Sequence, residues 1–102
     1  MLHLSVIVPT RNEAAVAPLL ISRLSETLVD VPCEDIFVDD SDDDTPEVIQ
    51  HATAQAGLNV KIMHREGDAR RGGLSTAAVE GVRAASGRYV CIMDADLHHP
   101  PE

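Results

Sequence analysis

The chain has 102 residues, a formal net charge of −9 and two aromatic side chains, Phe37 and Tyr89. That length makes one small domain or part of a larger one. An acidic chain with so few rings excludes the usual devices for nucleic acid, cationic patches and stacking platforms, so no nucleic-acid partner is expected. Residues 4–8, Leu-Ser-Val-Ile-Val, are a short β-branched run stopped by Pro9 and predict a buried strand. Asn12 can cap the helix that follows, with Glu13 in its first turn. Val16, Leu19, Leu20, Ile21, Leu24 and Leu28 then recur at helical spacing, and Pro18 allows a start later than Asn12. Cys33 falls in a loop. Residues 35–38 predict the second strand, which enters Asp39 and Asp40. Thr45 and Pro46 give an N-cap with proline at the first helical position, and this second helix runs to about Ala56 and stops at Gly57. The third strand is expected over 58–63, a charged loop over 65–73, a third helix over 75–86 and a fourth strand over 88–93. Cys91, in mid-strand, reads as a small buried hydrophobe.

This β-α-β-α-β-α-β order predicts an α/β fold: a Rossmann-like open parallel sheet flanked by helices, with strand order about 3-2-1-4. Ligands of such sheets bind at the carboxyl ends of strands near the switch point, here between strands 1 and 4. Pro9 to Glu13, Asp39 with Asp40, and Asp94 with Asp96 all fall at strand ends.

Residues 94–102, Asp-Ala-Asp-Leu-His-His-Pro-Pro-Glu, carry the most chemistry. Two carboxylates one residue apart after a strand repel unless a cation lies between them, and hard oxygen ligands suit Mg²⁺ or Mn²⁺. The competing reading is that Asp96 caps a turn. His98 is either a third ligand or a bystander, and His99 beside Pro100 and Pro101 reads as structural. Pro9-Thr10-Arg11-Asn12-Glu13 is either a nucleoside-holding loop or a strand end with a helix cap. Asp40, Asp42 and Asp44 alternate like a calcium loop. Thr45 stands where that loop needs glycine and His51 where it needs glutamate, so the reading fails. Asp39 or Asp40 is better suited to accept hydrogen bonds from a base or ribose. The acidic cluster between Glu34 and Glu47 is either a solvated loop or a place for a cation, and Asp42 to Asp44 read as a polar turn with helix-start charges. Arg65, Arg70 and Arg71 with Gly72 and Gly73 form either a phosphate-binding loop or a solvated connection.

The two cysteines share no metal-ligand spacing, so a reduced, cytosolic setting is expected. No basic segment precedes an apolar run, and no run is long enough to span a membrane.

Taken together, Ser-Val-Ile-Val-Pro-Thr-Arg-Asn-Glu, Val-Asp-Asp-Ser, Gly-Leu-Ser-Thr-Ala with Gly81, and Asp-Ala-Asp-Leu-His-His-Pro-Pro-Glu resemble family 2 glycosyltransferases. Within that family they look most like the dolichol-phosphate mannosyltransferase-like enzymes. The resemblance implies a GT-A fold, with residues 1–102 as its nucleotide-sugar-binding part. It implies metal-dependent, inverting transfer of a sugar, mannose from GDP-mannose, to a polyprenyl phosphate. Pro9, Thr10, Arg11, Glu13, Asp39, Asp40 and Arg71 are then expected to hold the nucleotide, and Asp94, Asp96 and His98 the Mg²⁺ or Mn²⁺. Arg11 stands where tyrosine is common, and the turn after Asp40 lacks the usual glycine. No acceptor half is recognisable, so the chain is expected to be the N-terminal part of a longer enzyme and inactive alone. The parent is expected to be cytoplasmic and peripheral at the inner membrane face. An exposed fourth strand is expected to favour a homo-oligomer. The alternatives are a metal-dependent phosphoesterase or nucleotidyltransferase, and a non-catalytic nucleotide-binding module.

Overall fold

The computed structural model describes residues 2–12, 14–27, 30–56 and 59–93. Four strands form one parallel sheet: β1 (Leu4–Thr10), β2 (Cys33–Asp39), β3 (Val60–His64) and β4 (Tyr89–Ile92). Their order is β3-β2-β1-β4, the expected one, with β1 at the centre beside the switch point. Helices α1 (Ala17–Thr27) and α2 (Thr45–Ala56) cover one face, and α3 (Gly73–Ala84) covers the other.

Strand alternation produces this two-sided core. Val6, Val8 and Phe37 face α1 and α2, where they meet Leu20, Ile21, Leu24 and Ile49. Ile7, Ile36 and Val38 face α3 and meet Ala77. Helix α3 lies close because Gly81 has no side chain; a Cβ there would stand 2.3 Å from Ile7 Cγ2. Gly87 does the same before β4, where a Cβ would come 2.6 Å from the Ser5 backbone nitrogen.

Several expectations are corrected. β1 continues through Pro9 to Thr10, because register with Val38 and Asp39 carries it past the proline. Asn12 does not cap α1; it takes a left-handed φ of 53°, and the helix begins at Ala17. Leu19 is exposed. β2 begins at Cys33, two residues before its expected start, so Glu34 is a buried strand residue and not part of a solvated loop; Asp35, expected in the strand, is buried as well. β3 is displaced to 60–64, and the charged loop contains a short 3-10 helix, Gly67–Arg70. α3 starts and ends two residues before its expected limits. β4 lies at the sheet edge and all four of its residues are exposed, Cys91 included. Its apolarity predicts burial, but among the described residues no helix covers it.

Candidate functional site at the carboxyl ends of the strands

Register brings the site together. Thr10 pairs with Asp39 across β1 and β2, and Asp39 pairs with His64 across β2 and β3. Registered neighbours in parallel strands point to the same face, so the three side chains form a row on the α1–α2 face at the carboxyl ends of the strands. Pro9 is buried directly before it.

Asp39 is fully buried and is the hub of the row. Its Oδ1 accepts from Thr10 Oγ1 and Ser41 Oγ, both at 2.6 Å. Its Oδ2 accepts from the Ser41 amide at 3.2 Å and lies 2.9 Å from His64 Nδ1. Ser41 Oγ in turn accepts from the Asn12 amide at 2.7 Å, and Asn12 Oδ1 accepts from the Asp42 amide at 2.9 Å. These bonds hold the left-handed turn after β1, which an asparagine tolerates better than most residues. The hydrogen bond to Asp39 raises the His64 pKa; partial burial opposes it, and Glu66, 3.4 Å from Nε2, adds to it.

Asp40 points to the opposite face. Both its oxygens are taken by Arg65, from Nε at 2.7 Å and Nη2 at 2.6 Å. Arg65 is buried and also reaches Thr76 Oγ1, Glu80 Oε2 and the Gly73 carbonyl, each at 3.0 Å. The Asp40 hydrogen bonds, then Glu80, raise the guanidinium pKa above its already high value. Arg65 therefore ties β2 to the start of α3 and has little left for a phosphate.

Arg70 is likewise committed, to Asp42 Oδ1 at 2.6 Å and to the carbonyls of Ser41 and Arg65 at 2.8 Å. Its hydrogen bond and charge hold the Asp42 carboxyl below its usual range. Arg71 is exposed, its guanidinium 3.8 Å from Asp68. Arg11 is exposed too, 3.9 Å from Asp42. Neither joins the row.

An open groove of 510 Å³ runs beside it, bordered by Ser41, Asp42, Pro46, His64, Glu66 and Arg70 among others. Glu13, Asp94, Asp96 and His98 lie outside the described residues. Among the described residues, no group of three or more His, Cys, Asp or Glu side chains could hold a metal ion. The expected metal ligands thus rest on Asp94, Asp96 and His98, which begin two residues after β4 in the chain. Sequence reasoning missed His64, Ser41 and the bracing by Arg65. The one available signal for His64 was its place at the end of a strand that neighbours Asp39 in a 3-2-1-4 sheet.

An open parallel sheet in this order, with polar side chains gathered at the strand ends near its switch point, defines the open α/β class, whose ligands bind at that end of the sheet. Residues 5–102 match the family model described as glycosyl transferase family 2, and the chain belongs to that family. It is 39% identical over 102 residues to a dolichol-phosphate mannosyltransferase of Pyrococcus furiosus, covering 99% of this chain and 28% of that protein. It is 40% identical over 101 residues to the Saccharomyces cerevisiae enzyme of the same name, covering 96% of this chain and 37% of the relative. Among solved structures it is similar to a mannosyltransferase from Pyrobaculum calidifontis in complex with GDP-Man and Mn²⁺. The TM-score is 0.69 at 33% identity, over 92% of this chain and 27% of that one. The chain therefore spans about a third of the length of these relatives.

Proposed function

We propose that this chain is the donor-nucleotide half of an inverting glycosyltransferase that moves mannose from GDP-mannose to a polyprenyl or dolichyl phosphate. The observation that carries the reading is the row Thr10, Asp39, His64 at the ends of three parallel strands, in a chain of family 2. The names of the Pyrococcus and yeast relatives support the sugar and the acceptor class, and the Pyrobaculum complex supports the donor and the metal.

In this reading Pro9, Thr10, Arg11, Glu13 and Asp39 border the nucleoside. Asp40 acts through Arg65, by fixing the loop that leads to exposed Arg71 and the donor phosphates. Asp94, Asp96 and His98 hold Mg²⁺ or Mn²⁺, which when bound neutralises charge on the departing nucleoside diphosphate. A phosphate acceptor is already ionised near neutral pH, so no strong general base is required of this chain. Among the described residues no helix is long and apolar enough to cross a membrane. We place acceptor contacts and a peripheral position at the inner membrane face in the part of the relatives' length that this chain does not match. The chain alone then binds donor without transferring sugar.

Calorimetry with GDP and UDP, with and without Mn²⁺, tests this. GDP should bind with Mn²⁺, and Asp96→Ala should weaken that binding while leaving the fold intact. An Asp96→Ala chain that binds GDP and Mn²⁺ as tightly as the parent contradicts the metal assignment.

A further inference from the structure

Asp39 has no free lone pair directed at a ligand: Thr10, Ser41 and His64 use both oxygens. Three of these four hydrogen bonds come from a strand residue and a tight turn two residues away. The fourth comes from His64, a part-exposed side chain on the last residue of β3. Hydrogen bonds continue from this carboxylate to Ser41, from Ser41 to the Asn12 amide, and from Asn12 to the Asp42 amide. The imidazole is thus connected, through Asp39 and Ser41, to the left-handed turn after β1.

We propose that His64 is a positioning residue of the nucleoside pocket: by binding Asp39 from β3 it holds Ser41 and the Asn12 turn in their ligand-ready arrangement. The inference rests on the donor-nucleotide reading above and adds a residue and a regulation to it. Removing the imidazole leaves Oδ2 of a fully buried carboxylate with only a 3.2 Å amide contact, and the buried oxygen must then recruit water or rearrange Ser41. Thr10 Oγ1 and Ser41 Oγ bond the other oxygen, so the contact affected first is the Ser41 amide on Oδ2, which shifts Ser41 and with it the Asn12 turn.

The imidazole also brings charge. Facing it are Asp39 from β2, Glu66 after β3, Asp42 and Asp43 from the turn, Glu47 from α2 and Arg70 from the 3-10 helix. Apart from Arg70, which is paired with Asp42, these are carboxylates; Asp39, by its hydrogen bond and charge, and then Glu66 favour the protonated ring. The neutral ring can still donate from Nδ1, but it no longer balances the Asp39 charge. Because the folded-state pKa is raised, the support is full below the ordinary histidine range and is lost as pH rises through the raised value.

The test is calorimetry of GDP with Mg²⁺ from pH 6 to 8.5 on the parent chain, His64→Leu and His64→Asn. The asparagine amide can replace the Nδ1 donor but not the charge. His64→Leu should bind about tenfold more weakly near pH 6.5, the size expected for a hydrogen bond to a charged group. His64→Asn should recover most of that affinity at pH 8.5 and should lack the part of the pH dependence that the parent alone shows. Ionisation of the GDP phosphates is common to all three and cancels in the comparison. A His64→Leu chain that binds like the parent overturns the inference, as does a His64→Asn chain with the parent's pH profile. If His64→Leu does not fold, the His64→Asn profile decides alone. If the parent binds neither GDP nor UDP, the donor reading itself falls, and the inference with it.

Discussion

Glu34 and Asp35 are adjacent in β2, and both are buried, yet their chemistry diverges. Burial raises the Glu34 pKa, but hydrogen bonds from Ser5 Oγ and the Ser86 amide, both 2.6 Å, with Lys61 3.1 Å away, outweigh it and keep the carboxylate charged. Asp35 points to the other face, toward the α1–α2 core, and neither of its oxygens has a hydrogen-bond partner among the described residues. Desolvation, then the neighbouring Glu34 charge, pushes its pKa up to about 6. The folded chain therefore binds this proton more tightly than the unfolded chain does. On this group's account stability is highest below about pH 4, the ordinary aspartate range, and falls as pH rises toward 6, by on the order of 3 kcal/mol. Asp35→Asn should raise the urea midpoint at pH 7.5 and flatten the profile between pH 4 and 6. An unchanged midpoint and profile would show that Asp35 finds a partner in solution. None of this was legible in the sequence. Glu34 read as a loop acid, and nothing marked Asp35 in its strand as isolated, because the groups that decide Glu34's fate lie 29 or more residues away in Ser5 and Ser86 and those that Asp35 would need are missing among the described residues.

Arg65 does at the level of elements what hydrogen bonds do within one. It joins the end of β2, through Asp40, to α3, through Gly73, Thr76 and Glu80. Arg65→Met should cost roughly 3–5 kcal/mol, because it strands a buried carboxylate rather than removing a pair. Urea denaturation measures this, and a loss below about 1 kcal/mol would mean that the pair is dispensable. The strand order was legible because β-branched runs and amphipathic helices alternate, and a parallel sheet with right-handed crossovers leaves few topologies. Strand and helix limits were less so. Cys33 to Asp35 carries a polar pattern that tertiary partners override, and the helix after Pro9 waits until Ala17 because the Asn12 turn is claimed by Ser41.

At the scale of the molecule, the sheet is covered on both faces at its centre and is open at β4. Tyr89, Val90 and Ile92 are exposed there, and so are Val79 and Val82 on α3. A strand edge of this kind offers unpaired backbone groups together with apolar side chains. We expect concentration-dependent self-association through β4, read by sedimentation, and Ile92→Lys should reduce it. A parent chain that is monomeric at every concentration tested would contradict this. The candidate site lies at the far end of the strands from Asp35, and two residues of its row were legible. Thr10 and Asp39 were named from their strand-end positions, whereas His64 was not, because only register reveals it.

The proposed function puts a nucleotide beside the row Thr10, Asp39, His64. The most direct measurement is an amide chemical-shift titration of the chain with GDP and Mg²⁺. Thr10, Asn12, Asp39, Ser41 and His64 should move together, while the hollow of 340 Å³ between α1 and α2, bordered by Pro18, Ile21, Ser22 and Gln55 among others, stays still. Shifts confined to that hollow, with the row unmoved at saturating GDP, would contradict it.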